Sequence, residues 1–136
     1  MPPFFDTNIL IYSVDRDEAV KSGPAGELVE MHLVRGKGAI SVQVLREFYL
    51  VARRLGSPLS EQQAREMVDY FATFRTLSED VTMVRGAARR TGELSISFWD
   101  ALIVEAALRS GADRLFTEDL QHGQVIEGMR VENPFL

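Results

Sequence analysis

Ser97-Phe98-Trp99-Asp100-Ala101-Leu102-Ile103-Val104-Glu105-Ala106-Ala107-Leu108-Arg109-Ser110-Gly111 is the stretch that settles the class of fold. Ser97 is a good N-cap, Gly111 a good stop, and between Phe98 and Leu108 only Asp100 and Glu105 carry charge. A helix that is apolar nearly all round has to be buried on most of its surface. Leu115-Phe116-Thr117 follows, an apolar run too short for a helix and read as a strand. A buried helix feeding a buried strand is the unit of an alternating α/β domain.

The same alternation extends in both directions. Residues 2–6 predict a short strand, Thr7–Val14 a helix, and Asp15-Arg16-Asp17-Glu18 a charged loop. A helix over about 19–35 is expected to stop at Arg35-Gly36-Lys37-Gly38. Gly38–Ser41 reads as a second strand. The next helix, about 42–55, places Val44, Leu45, Phe48, Ala52 and Leu55 at helical spacing and stops at Gly56. Ser60-Glu61-Gln62-Gln63 is a capping box opening a further helix. A strand near 74–77 and a helix at about 79–92 precede the decisive helix at 98–110, and Met129-Arg130-Val131 is the last strand candidate. With no repeat, linker or low-complexity stretch, residues 1–136 read as one α/β domain. The expected architecture is an α/β/α sandwich around a mostly parallel sheet.

Composition removes several classes of function. The chain of 136 residues is 46% hydrophobic and 26% charged, the balance of a globular domain with a real core. It contains no cysteine, so disulfides and thiolate metal sites are excluded, and two histidines, His32 and His122, make a histidine-rich zinc site a poor expectation. No cationic leader precedes an apolar run, and no run approaches the roughly 18 residues of a membrane span. The expectation is a cytoplasmic protein with no membrane partner. The net charge of −5 runs against nucleic-acid binding. Setting aside four acids that could hold divalent cations, −5 + 4 leaves −1. Of the 15 basic residues all but Lys21 and Lys37 are arginine, the side chain suited to bidentate phosphate contacts.

Those four acids are Asp6, Glu47, Asp100 and Asp119. Asp6 closes the first strand and Asp119 follows the Leu115-Phe116-Thr117 run, so both fall on the carboxyl edge of the sheet if their strands are parallel neighbours. Asp100 is at N3 of the buried helix and shares a face with Ile103, Val104 and Ala107. Ser-x-x-Asp is also ordinary cap chemistry, but a carboxylate at a buried helix end needs a cation or several donors to offset lost hydration. Glu47 lies at the shoulder of its helix's apolar stripe, where a solvated or arginine-paired role is the plain reading. Oxygen-only ligands of this kind suit Mg²⁺ or Mn²⁺.

The order of these blocks resembles the PIN domain, and within it the small single-domain toxins of the VapC type. The resemblance rests on Phe5-Asp6-Thr7-Asn8-Ile9-Leu10, Ser41-Val42-Gln43-Val44-Leu45-Arg46-Glu47-Phe48, Phe98-Trp99-Asp100-Ala101-Leu102-Ile103 and Leu115-Phe116-Thr117-Glu118-Asp119-Leu120, with Val131-Glu132-Asn133-Pro134-Phe135 resembling the closing strand and turn. It implies a Mg²⁺- or Mn²⁺-dependent endoribonuclease, the toxin of a toxin–antitoxin pair, inhibited by a cognate antitoxin and forming a homodimer. It places the metal-binding, catalytic acids on Asp6, Glu47, Asp100 and Asp119, with Thr7, Asn8 and Thr117 in support. Glu118 adjoins Asp119 and competes for its role.

No serine, cysteine or histidine arrangement offers a nucleophile, so hydrolysis would depend on a metal-activated water. Asp6 is expected to be the central ligand, with Asp100 and Glu47 on one ion and Asp119 on a weaker second. The rival readings are an inactive PIN-like binding module with a structural metal, a phosphoacceptor receiver domain, and an aspartyl phosphatase. The last two need paired acids after the first strand, where this chain has Asp6-Thr7-Asn8, and a receiver also needs a lysine late in the chain, where none lies beyond Lys37.

Overall fold

The computed structural model describes residues 2–136. The elements are β1 (Phe4–Phe5), α1 (Thr7–Val14), α2 (Ser22–Leu28), β2 (Ala39–Ser41), α3 (Val42–Ala52), α4 (Glu61–Phe71), β3 (Arg75–Leu77), α5 (Val81–Leu94), α6 (Phe98–Arg109), β4 (Arg114–Phe116), β5 (Val125–Ile126) and β6 (Met129–Glu132). Side-chain caps start most of the helices: Asp6 for α1, Ser41 for α3, Ser60 for α4, Asp80 for α5 and Ser97 for α6. Helices therefore begin where a short polar side chain answers the first free N–H groups.

The strands form one six-stranded sheet in the order β3-β2-β1-β4-β6-β5, parallel except for the β5–β6 pair. Phe4 and Phe5 project to opposite faces of β1 and both are fully buried, so the sheet is covered on both sides. The helices pack in two groups, α1 with α2 and α3 and α3 with α4, and α5 with α6. The expected mostly parallel α/β sandwich is what forms. From β1 the chain builds outward through β2 and β3, then returns to β4 on the other side. The β1/β4 seam is thus the switch point of the sheet, where open α/β folds leave a crevice beyond the strand ends. Phe5 is in register with Phe116, and the Asp6 N–H donates to the Phe116 carbonyl at 3.0 Å.

Two details differ from the sequence reading. The helix expected over 19–35 begins at Ser22, runs as α-helix only to Leu28, and continues as a wider π-helical segment over Val29–Val34. Its first two turns carry Gly23, Pro24 and Gly26, weak helix formers. The second is β5, a strand that the sequence reading did not name. Val125–Ile126 pairs antiparallel with β6 through Glu127 and Gly128, which both have positive φ, 47° and 85°. That pair of angles makes a tight hairpin turn, and Gly128 takes the left-handed backbone that side chains resist.

Candidate metal centre

Asp6, Asp100 and Asp119 converge beyond the β1/β4 seam, each offering a carboxylate oxygen, with these oxygens all within 4.8 Å of one another. β1 delivers Asp6, the first turn of α6 delivers Asp100, and the loop after β4 delivers Asp119. Asp6 is fixed from two sides: one oxygen accepts the Thr7 N–H at 2.7 Å and the other the Thr117 hydroxyl at 2.7 Å. Thr117 is itself saturated, accepting from the Asn8 amide at 3.3 Å and the Asp119 N–H at 3.1 Å. Asn8 also donates to the Asp119 carboxylate at 3.0 Å. The three polar residues named as supporting thus form one network beneath the acids.

Glu47 stands outside the close trio. Its two oxygens are taken by the Thr7 hydroxyl at 3.1 Å and the Gln43 amide at 2.7 Å. The division expected from sequence, with Asp100 and Glu47 together and Asp119 apart, therefore differs from the arrangement found, in which Asp119 joins Asp6 and Asp100. Glu118 points away: it pairs with Lys21 at 2.8 Å and accepts the Tyr12 hydroxyl, beside the Tyr12–Phe135 edge-to-face stack. His122 is exposed and accepts the Asn133 N–H at 2.9 Å.

The caps at Ser60 and Ser97 differ. At Ser60 both halves of a capping box are made, the serine oxygen to the Gln63 N–H and the Gln63 side chain back to the cap. At Ser97 the serine half is present, accepting the Asp100 N–H at 3.0 Å, and the Asp100 carboxylate makes no return bond to the cap N–H.

The charges are uncompensated. None of the ion pairs among the described residues involves Asp6, Glu47, Asp100 or Asp119. Burial pushes the Asp6 carboxyl up to about 7; the bonds from Thr117 and Thr7 pull against this, and the charges of Asp119 and Glu47 add to it. Asp100 is raised too, first by burial, with a hydrogen bond from Ser97 opposing and Asp119 and Glu47 reinforcing. The donor set, oxygen only and anionic, fits a hard divalent cation. One further feature fits. Asn8 Oδ1 is the sole buried side-chain polar atom without a partner among the described residues, on the residue whose amide braces Thr117 and Asp119.

Sequence reasoning did not single out Gln43, which is buried and holds both Glu47 and the Trp99 carbonyl, the latter at 3.2 Å. Its position one turn before Glu47 on the same helical face is a signal that could have found it. The partners of Glu118 leave no such signal, because Lys21 and Tyr12 lie far away in the chain.

The fold also has known counterparts. The PIN domain family matches residues 4–127, and the chain belongs to that family. Comparison with curated proteins gives no match. Among solved structures, a toxin–antitoxin complex from Klebsiella pneumoniae superposes with a TM-score of 0.71 at 22% identity, covering 97% of each chain. A DNA-bound VapBC from Salmonella typhimurium gives 0.69 at 19%, covering 98% of each. The sarcin–ricin-loop-cleaving VapC toxin of Mycobacterium tuberculosis gives 0.68 at 18%, covering 86% of this chain and 89% of that one.

Proposed function

We propose that the protein is a Mg²⁺- or Mn²⁺-dependent endoribonuclease acting as the toxin of a toxin–antitoxin pair. The observation that carries this reading is the trio Asp6, Asp100 and Asp119, three converging carboxylates with no cationic partner. The similar structures, two of them toxin–antitoxin complexes and one a sarcin–ricin-loop-cleaving toxin, support the biological setting.

Asp6, Asp100 and Asp119 would hold the ion, and Glu47 would reach it from the α3 side. Once bound, the ion supplies a water of lowered pKa for in-line attack on a phosphodiester. Thr7 and Thr117 keep Asp6 at one rotamer, and the Asn8 amide fixes Asp119. Gln43 keeps Glu47 turned inward. The partners are an RNA substrate and a small antitoxin that places an arginine among the carboxylates, a charge-assisted pairing that excludes metal. A homodimer fits the spare apolar surface around Tyr49, Tyr70 and Phe74. The protein is expected to work in the cytoplasm, and no helix among its described residues is long and apolar enough to cross a membrane.

Antitoxin-free protein should cleave RNA in Mg²⁺ or Mn²⁺, stop in EDTA, and turn over poorly in Ca²⁺, whose larger radius loosens the coordination. Full cleavage in EDTA would sink the reading.

A further inference from the structure

Beside the carboxylates, α3 and the start of α6 enclose an open pocket of about 520 Å³ lined by Gln43, Arg46, Glu47, Leu50 and Trp99. The pocket shares a wall with the acidic cluster, because Glu47 and Gln43 belong to both. Gln43 also ties the two sides together through the Trp99 carbonyl. Trp99 is the single tryptophan of the chain and is 61% exposed, immediately before Asp100. Leu50 opposite is 51% exposed. Core packing therefore accounts for neither side chain. Arg46 is the one cation of the lining, and its guanidinium makes only a long contact to Glu79, 3.9 Å.

We propose that this pocket receives a nucleobase of the RNA next to the scissile phosphate, stacked on Trp99, with Arg46 meeting a flanking phosphate. The inference rests on the ribonuclease reading above. An exposed indole and a guanidinium beside a catalytic crevice are the elements of a stacking platform for single-stranded RNA. A strand whose phosphate approaches Asp6, Asp100 and Asp119 places its neighbouring base at this wall. The surrounding acids repel a phosphate chain, so local attraction must come from stacking and from Arg46. The pocket is also of small-ligand size, which suits a base better than a protein segment.

Because Trp99 is the only tryptophan, its fluorescence reports this one side chain. The experiment titrates the full protein in Ca²⁺ with a short oligoadenylate and with a ribose-phosphate oligomer of the same length lacking bases. Quenching by the first and not the second is expected. In parallel, Trp99→Ala should raise KM for RNA cleavage in Mn²⁺ roughly tenfold, with the loss read mainly in KM, while Trp99→Phe stays within about threefold. Cleavage by the wild type with no quenching and an unchanged KM in Trp99→Ala overturns the base pocket and leaves the nuclease standing. If Trp99→Ala keeps its KM and instead loses inhibition by the antitoxin, the face is a protein contact and the inference is wrong. Base-dependent quenching without any metal-dependent cleavage would support the pocket and defeat the ribonuclease reading.

Discussion

Asp100 and Glu105 lie on the same helix, and they show two ways for a folded chain to hold a carboxylate. Glu105 is almost fully buried, and its charge is matched by Arg90 at 2.5 Å and Arg109 at 3.5 Å. Arg90 in turn reaches Glu127, tying α5 and α6 to the β5–β6 turn. Gly86 makes the room, since a Cβ there would lie 2.7 Å from the Glu105 carboxyl. Asp100, nearer the start of the helix, meets Asp6 and Asp119 and has no cation among its ion-pair partners. One site is complete and serves the fold. The other keeps like charges together, an arrangement that costs stability unless a divalent cation or a partner's arginine completes it.

The sharpest way to break this contrast is to neutralise each side. Asp6→Asn and Asp100→Asn should lower cleavage in Mg²⁺ by roughly a thousandfold or more, about 4 kcal/mol of barrier. The same variants should be as stable in EDTA as the parent or more so, because a repelling charge is gone. Their expression should cease to be toxic. Steady-state cleavage and thermal midpoint in EDTA, measured on the same preparation, decide the matter. Lowered midpoints with normal cleavage would move these acids to the structural side.

Glu105→Gln should do the opposite. It weakens two charge-assisted bonds at once, leaving Arg90 on Glu127 and Arg109 on Asp80, and costs about 3 kcal/mol. The midpoint should fall by about 10 °C, equally with and without Mg²⁺. Cleavage at a temperature where the variant is folded should keep its metal dependence. A loss that appears only when metal is present would show that the two regions are coupled.

How far this contrast is visible in the sequence depends on the range of the interactions. Asp6 and Asp100 are legible because each sits at a boundary between elements, where a cap or strand end fixes its direction. The sheet that joins them is legible as a class, from the all-apolar α6 and the short apolar strands. The strand order is not, since Phe4 and Phe5 carry no mark saying that β4 will be their neighbour. Glu105 reads from sequence as solvated or ion-paired, and the second is what occurs, but Arg90 is one of several arginines on α5. Glu118 is drawn to Lys21 and Tyr12, contacts that adjacent acids cannot reveal. Sequence position offers half of Gln43, its place one turn before Glu47, while its hold on the Trp99 carbonyl arises only where α3 meets α6.

A smaller effect follows from protons. In the metal-free fold the Asp6 carboxyl titrates at about 7, against 3.8 for an ordinary aspartate. Between those values the folded chain binds more protons than the unfolded one, so stability falls as pH rises through the window and returns on acidification. Chemical denaturation in EDTA should show a gain of up to a few kcal/mol from neutral pH toward pH 4. Asp6→Asn should flatten that slope. Saturating Mn²⁺ should remove it as well, because the ion competes with the proton for the same oxygens. A parent protein whose stability in EDTA rises between those pH values would show that Asp6 is compensated after all.

The smallest effect tests whether the open site is held as firmly as the closed one. Gln43→Met keeps the volume and apolar stem but removes the amide that holds Glu47 and the Trp99 carbonyl. Glu47 keeps the Thr7 hydroxyl, so it is loosened rather than freed. The Trp99 carbonyl lies within α6 and keeps its intrahelical bond, which limits the stability cost to about 1 kcal/mol. The metal should respond more than the fold. With Glu47 less well aimed, the Mn²⁺ concentration giving half-maximal cleavage should rise severalfold, as when an outer partner of a metal ligand is removed. Gln43→Asn, whose amide is too short to span both acceptors, should behave like Gln43→Met. An unchanged Mn²⁺ requirement in both variants, with the expected small stability loss, would assign Gln43 to packing. Glu47 would then stand at the site without support from α3, and the contrast with the doubly braced Glu105 would be wider than the geometry suggests.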